Sequence, residues 1–415
     1  MQTIDSVYNK ETEALKVSAA DRLLGAVAGM WRSHGRAQMS ARQVSQSAGA
    51  QASQINYYFG GFEQLLCSAQ GRAIAHAAAW CERTLSEMGR IDATANGGEA
   101  FGHLLAAIID DWCRSQADLA FAWGECQILA ARQPDFADAN AQWQALWKRF
   151  WDEACALTGM GPQADLVRVF FTGEAFLHRI VWRGSFDRAC LSESGLSWAR
   201  LLMTGDPGEG PLRDYARVET ARFAAPVLVA GSVHERIAEA AADIVGREGA
   251  AAVTHRAVAQ TAGLNLGAVT YHFPSAGDLM AAAWAYIYLR LTRPHLTADD
   301  APVTRQSYIE GLTAYSAADA RQPDALAMEA LLSQAARDES LRDRGAMIRY
   351  SRGQTTLHRL SRLPREQGPL GPQAAGLVST FAQGLGRDLS VLSPAQRPAE
   401  ARRLITQLLD ALQVR

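Results

Sequence analysis

Arg42, Gln51, Ser53, Gln54 and Asn56 crowd into one short stretch of the chain, just after Ser40 and just before Tyr57 and Tyr58. Guanidinium, amide and hydroxyl groups so spaced suit hydrogen bonding to base edges and phosphate oxygens. Ser40 can offer its amide and hydroxyl to a phosphate at a helix start. Arg42 can fork onto a guanine or a phosphate. A second set follows much later: Thr254, Arg256, Asn265, Gly267, Ala268, Thr270, Tyr271 and His272. Its small and apolar members suit thymine methyl contact and close backbone approach.

These residues are positioned by a repeated frame. Residues 35 to 65 and 249 to 279 align without a gap at an offset of 214. Gly35 meets Gly249, Arg42 meets Arg256, Val44 meets Val258, and Gln46, Ala48 and Gly49 meet Gln260, Ala262 and Gly263. Tyr57, Phe59 and Leu65 meet Tyr271, Phe273 and Leu279. An internal duplication is the simplest reading. In each copy Ser40 or Thr254 caps a short helix, Gly49 or Gly263 breaks it, and a second short helix follows. Val44, Ala48, Ile55 and Phe59 face inward in the first copy, Val269 and Phe273 in the second. This is a helix-turn-helix, whose second helix enters the DNA major groove.

The stretches AVTYHFPSAGDL (268 to 279) and QINYYFGGFEQL (54 to 65), with the capped helix and A-G corner before each, resemble the DNA-binding domain of TetR-type transcriptional repressors. The first of the two is the closer match. The resemblance implies paired aromatics against phosphates, and a helical ligand pocket and dimer interface after each DNA-binding domain. It also implies a basic residue early in the next helix, where this chain has Phe62 and Ala276. Residues 10 to 72 hold seven basic groups against four acidic, whereas residues 233 to 293 hold five against five. The second copy is expected to grip DNA more weakly.

A chain of 415 residues has room for two complete halves. Net charge is −2, so DNA affinity must come from local basic groups. Periodicity gives helices throughout and no strand alternation, so the fold class is all-α, a duplicated TetR-like fold. Helices are expected at 20–34, 98–115, 118–131, 136–159, 162–183, 189–203, 304–320, 323–336, 338–362, 371–391 and 395–413, among others. Residues 1 to 18 are polar and expected to fray, with Lys10 and Lys16 able to reach phosphates. The Gly- and Pro-containing stretch 203 to 232 reads as a linker.

The implied division is 1–60 as a first helix-turn-helix domain, 61–204 as its effector and dimerisation domain, and 205–232 as linker. A second helix-turn-helix domain, 233–274, precedes a second effector domain, 275–415. Nine of the ten tryptophans precede residue 205, and Trp143, Trp147 and Trp151 share one helix stripe. Core or interface packing is the plain reading of that stripe. An apolar or aromatic effector in a pocket with His103, Trp112, Glu125, Trp147 and His178 is the functional reading.

Six cysteines form no CxxC pair, so neither a disulfide framework, a metal site nor a cofactor is expected. They read as packing residues, with a thiol-based redox sensor as the alternative. No GxSxG, HExxH or phosphate-loop motif is present, and no catalytic residue is expected. No apolar run reaches membrane-spanning length and the first residues lack a signal-peptide core, so a cytoplasmic protein is expected. The function read from all this is a ligand-responsive repressor acting on double-stranded DNA as a single-chain pseudo-dimer, able to stay monomeric. The rival is an all-α ligand- or protein-binding sensor that has lost DNA binding.

Overall fold

The structure is a computed structural model, and it describes residues 18–90, 98–224, 228–296, 303–317 and 323–415. Every regular element among the described residues is helical. Helix α1 (Ala19–Ser33) starts at Ser18, whose hydroxyl accepts from the Asp21 N–H at 3.0 Å. It buries Leu23, Val27, Met30 and Trp31. Gly35, at φ +66°, turns the chain toward α2 (Ala41–Ser47) and α3 (Ser53–Phe59). The long α4 (Phe62–Met88) carries the chain into the body of the first half.

There α5 (Glu99–Arg114), α6 (Ala117–Ala130), α7 (Ala137–Leu157), α8 (Ala164–His178) and α9 (Gly184–Thr204) pack around indole rings. Trp112, Trp143, Trp147 and Trp151 are fully buried. Helix α8 ends at His178, and α9 begins earlier than the periodicity predicts.

The stretch expected to be a linker contains a docked helix, α10 (Pro211–Ala221). Pro211 fits the first turn, where no N–H is needed. The Glu193 carboxylate accepts from the Leu212 and Arg213 N–H groups at 2.9 and 3.0 Å, closing the helix start.

The second half restarts with α11 (Val233–Glu248), α12 (His255–Ala262), α13 (Leu266–His272) and α14 (Ala276–Leu296). After these come α15 (Arg305–Ser316), α16 (Pro323–Ala335), α17 (Arg342–Ser351), α18 (Gln354–Leu360), α19 (Pro372–Asp388) and α20 (Arg397–Ala411). A single helix over 338–362 is expected from the sequence. The chain instead breaks at Gly353, φ +99°, where a Cβ would lie 2.6 Å from the Gly376 nitrogen of α19. The expected fraying of residues 1 to 18, with the contacts of Lys10 and Lys16, falls almost wholly outside the described residues.

Helix α8 is buried nearly all round, because α19 lies across it. Helices α9 and α20 flank that crossing and touch it. One hydrophobic core therefore joins residues of α1 to α9 with Phe381, Leu385, Leu404 and Leu408. A second core carries Phe176, Leu177 and Ile180 into α11, α12, α13 and α16.

Candidate nucleic-acid interface

The two helix-turn-helix heads share local geometry at the sequence offset. Ser18 and Ser232 cap their first helices, accepting from the Asp21 and Glu235 N–H groups at 3.0 and 3.1 Å. Arg22 Nε donates to the Ala48 carbonyl at 3.0 Å, and Arg236 Nη2 to the Ala262 carbonyl at 2.9 Å. Each guanidinium thus ties the first helix to the end of the supporting helix. Ser40 and Thr254 cap the supporting helices, accepting from Gln43 N–H and Ala257 N–H at 3.3 and 3.2 Å. Val44 and Ile55 are buried beneath the surface of the first head, Val258 and Val269 beneath that of the second. Phe59 and Phe273, expected inward, are half-buried.

The outward groups also correspond. Tyr57 and Tyr271 are each 81% exposed, far too open for core roles. Arg42 and Arg256 are exposed on their supporting helices. Gln51, Ser53, Asn56 and Tyr58 are exposed around α3, while Gln54 is half-buried and its Oε1 accepts from the Gln51 N–H at 2.9 Å.

Helix α13 spends more of its polar groups on its own backbone. Asn265 spends its side-chain oxygen capping α13, accepting from the Ala268 N–H at 2.7 Å. The Thr270 hydroxyl donates to the Leu266 carbonyl at 3.0 Å. His272 is half-buried, its ring 4.5 Å from that of His234. Gly267 and Leu266 are exposed, leaving a small and apolar outer face. In the first head Phe62 lies under Arg36, whose guanidinium pairs with Glu63 at 2.5 Å and stacks 5.3 Å from the Phe62 ring centre.

The five residues assigned to an effector site are dispersed in environment. Trp112 and Trp147 meet edge to face at 4.8 Å within a packed cluster that includes Trp80, Trp123 and Phe171. His103 is exposed. Glu125 is engaged by Arg337 at 2.6 Å. His178 is buried between Asp110 and Arg349, each at 2.8 Å. Two open surface clefts of about 470 Å³ each lie along α1, and neither is lined by any of the five.

Five of the six cysteines are buried. Burial pushes the Cys81, Cys113, Cys155 and Cys190 thiols up to about 12, which makes them poor nucleophiles and fits packing over redox sensing. Among the described residues no group of three or more His, Cys, Asp or Glu gathers as a metal site.

Sequence reasoning missed the Arg22 and Arg236 ties. The signal was present, because the alignment extends upstream through Ser18 and Ser232 to these arginines. Nothing local announced the Glu125 and Arg337 pair.

Residues 237–283 match the family model of the bacterial regulatory proteins of the tetR family. A TetR-type DNA-binding domain at these residues supports a transcriptional regulator of that type. The match falls on the second copy, the one whose sequence resembles that family more closely. No curated protein matches the chain. Among the described residues no helix is long and apolar enough to cross a membrane.

Proposed function

We propose that the chain is a ligand-responsive transcriptional repressor, built from two TetR-like halves in one polypeptide that pair as a pseudo-dimer. The observation that carries this reading is the repeated head geometry: Arg22 to the Ala48 carbonyl and Arg236 to the Ala262 carbonyl, beneath equally exposed Tyr57 and Tyr271. The α8, α9, α19 and α20 packing supports an interface of the helix-bundle kind between the halves. On this reading the division is 1–60 and 61–204 for the first half and 233–274 and 275–415 for the second. Residues 205–232 are then the connector, and α10 lies within it.

Because the two readers present different groups, the operator is asymmetric. Arg42, Gln51, Ser53 and Asn56 read one half-site, and Arg256, Gly267 and Ala268 the other. The effector is apolar or aromatic, a reading supported by the cluster of Trp80, Trp112, Trp123 and Trp147 in the first half, which would have to open to admit it.

A second reading, an all-α sensor without DNA binding, is favoured by Phe62 and Ala276 in place of basic residues and by the bonding of Asn265 and Thr270 to their own helix backbone. A mobility-shift assay on the DNA flanking the gene separates the two. A salt-dependent shifted complex supports the repressor, and no shift at low salt supports the sensor.

A further inference from the structure

We propose that Glu125 and Arg337 are positioning residues for the first reading head, so that the second half of the chain sets that head's orientation. The consequence for DNA rests on the reading proposed above; the contacts do not. Glu125 lies on α6 and is buried. Its Oε1 accepts from Arg337 Nη2 at 2.6 Å and from the Ser333 hydroxyl at 3.3 Å. Its Oε2 accepts from the Arg36 N–H at 3.1 Å. Arg337 comes from the other half of the chain, just beyond α16. It reaches past Glu125 to the Trp31 carbonyl, with Nη2 at 2.8 Å and Nε at 3.3 Å. The Phe121 ring lies beneath the guanidinium at 4.8 Å.

Trp31 is in the last turn of α1, and Arg36 begins the turn into α2. One ion pair therefore grips the backbone on both sides of Gly35, the corner that sets the angle between these helices. The approach is close: a Cβ on Gly35 would lie 3.1 Å from the Arg337 guanidinium carbon and 3.2 Å from Glu125 Oε1. The second head has the same corner without the grip. Gly249 also has a positive φ, +91°, but a Cβ there meets nothing within 4 Å. A buried pair adds little net stability, yet removing one member leaves the other charge buried and uncompensated. Besides those to Ser333, its hydrogen bonds end in the first head, and its loss should be felt there.

The test compares amide hydrogen exchange in the full chain and in Arg337→Met, Arg337→Lys and Glu125→Gln. Arg337→Met should speed exchange over residues 36–59 about tenfold or more while residues 250–272 keep their rates. Arg337→Lys keeps the charge and should recover part of the protection. Glu125→Gln is isosteric and keeps an acceptor for Arg36. It should give the same first-head pattern at smaller amplitude, even if Arg337→Met does not fold. In parallel, DNA selected from a random pool by the unaltered chain is footprinted with each variant. Arg337→Met should lose protection of one half-site and keep the other. Equal acceleration in both heads, or none in either, overturns the proposal. An unaltered chain that selects no DNA refutes the DNA reading instead, and exchange alone then decides the positioning role.

Discussion

Gly173 of α8 and Gly384 of α19 meet backbone to backbone where the two halves cross. A Cβ on Gly173 would lie 3.0 Å from the Gly384 nitrogen, and one on Gly384 would lie 2.8 Å from the Gly173 nitrogen. The carbonyls are closer still, with Thr380 O at 2.1 Å and Val169 O at 1.9 Å from those Cβ positions. Only glycine allows this approach, because the obstacles are backbone atoms that cannot rotate away. Gly173→Ala and Gly384→Ala should each destabilise the chain by about 3 kcal/mol or more, through overpacking at a rigid crossing. Denaturant unfolding checks this. A loss below about 0.5 kcal/mol would mean that the helices separate at little cost.

The Arg22 and Arg236 ties predict paired behaviour in the two heads. Replacing either by Ala should remove a charge-assisted hydrogen bond to the supporting helix and cost about 1 kcal/mol, the partial exposure of both keeping it modest. Thermal unfolding of the two variants should shift by similar amounts. A large loss from one and none from the other would show that the heads are not built alike.

Arg42→Ala and Arg256→Ala should each weaken DNA binding by roughly 1 to 3 kcal/mol where the guanidinium reads a base. Loss that is uniform across DNA sequences, with a shallower salt slope, would mark a phosphate contact. Tyr57→Phe and Tyr271→Phe should lower affinity by about 1 kcal/mol while leaving folding stability unchanged, since both rings are in solvent. Fluorescence anisotropy with a labelled duplex measures all four. Unchanged binding in every variant would place the DNA-contacting surface elsewhere.

His178 predicts a pH dependence of stability. Arg349 Nη2 donates to His178 Nδ1, so the ring carries its proton on Nε2 and donates it to Asp110 Oδ1. Burial holds the imidazole below its ordinary value of 6.5, with the Arg349 charge adding to the effect and Asp110 opposing it. The unfolded chain then binds a proton that the folded chain refuses. Stability from this group is complete above pH 6.5 and falls as pH drops below it. Burial would raise the Asp110 carboxyl, but hydrogen bonds from His178 and Arg114 outweigh it and hold the group below 3.8. Its contribution persists above pH 3.8 and fades as the medium becomes more acidic. Melting temperatures across pH should show the first decline in the unaltered chain and lose it in His178→Gln. An identical decline in both would assign it to other groups.

The heads were legible in the sequence because their signals are local. A cap at Ser40 or Thr254, a corner glycine, and buried valines at helical spacing all fall within one short window. Helix α10 was hidden because its support is tertiary: Glu193 closes its start, and α17 covers Ala216. The break at Gly353 was hidden for the same reason, since Gly376 of another helix forces it. Glu125 read as a polar group available to a ligand because the sequence does not reveal that Arg337 occupies it. His178 read alike, with Asp110 and Arg349 equally out of view. Local periodicity carries element type, whereas the partners of a buried charge depend on how distant segments meet.

On the proposed reading, one chain does on DNA what two identical chains otherwise do. The most direct measurement is the mass of the complex formed with a duplex selected from random DNA, read by native mass spectrometry or light scattering. One chain per duplex is expected, on a site whose two halves differ, with scrambling of one half costing more than scrambling of the other. Two chains per site, or a selected site with two-fold symmetry and equal loss from both halves, would contradict it.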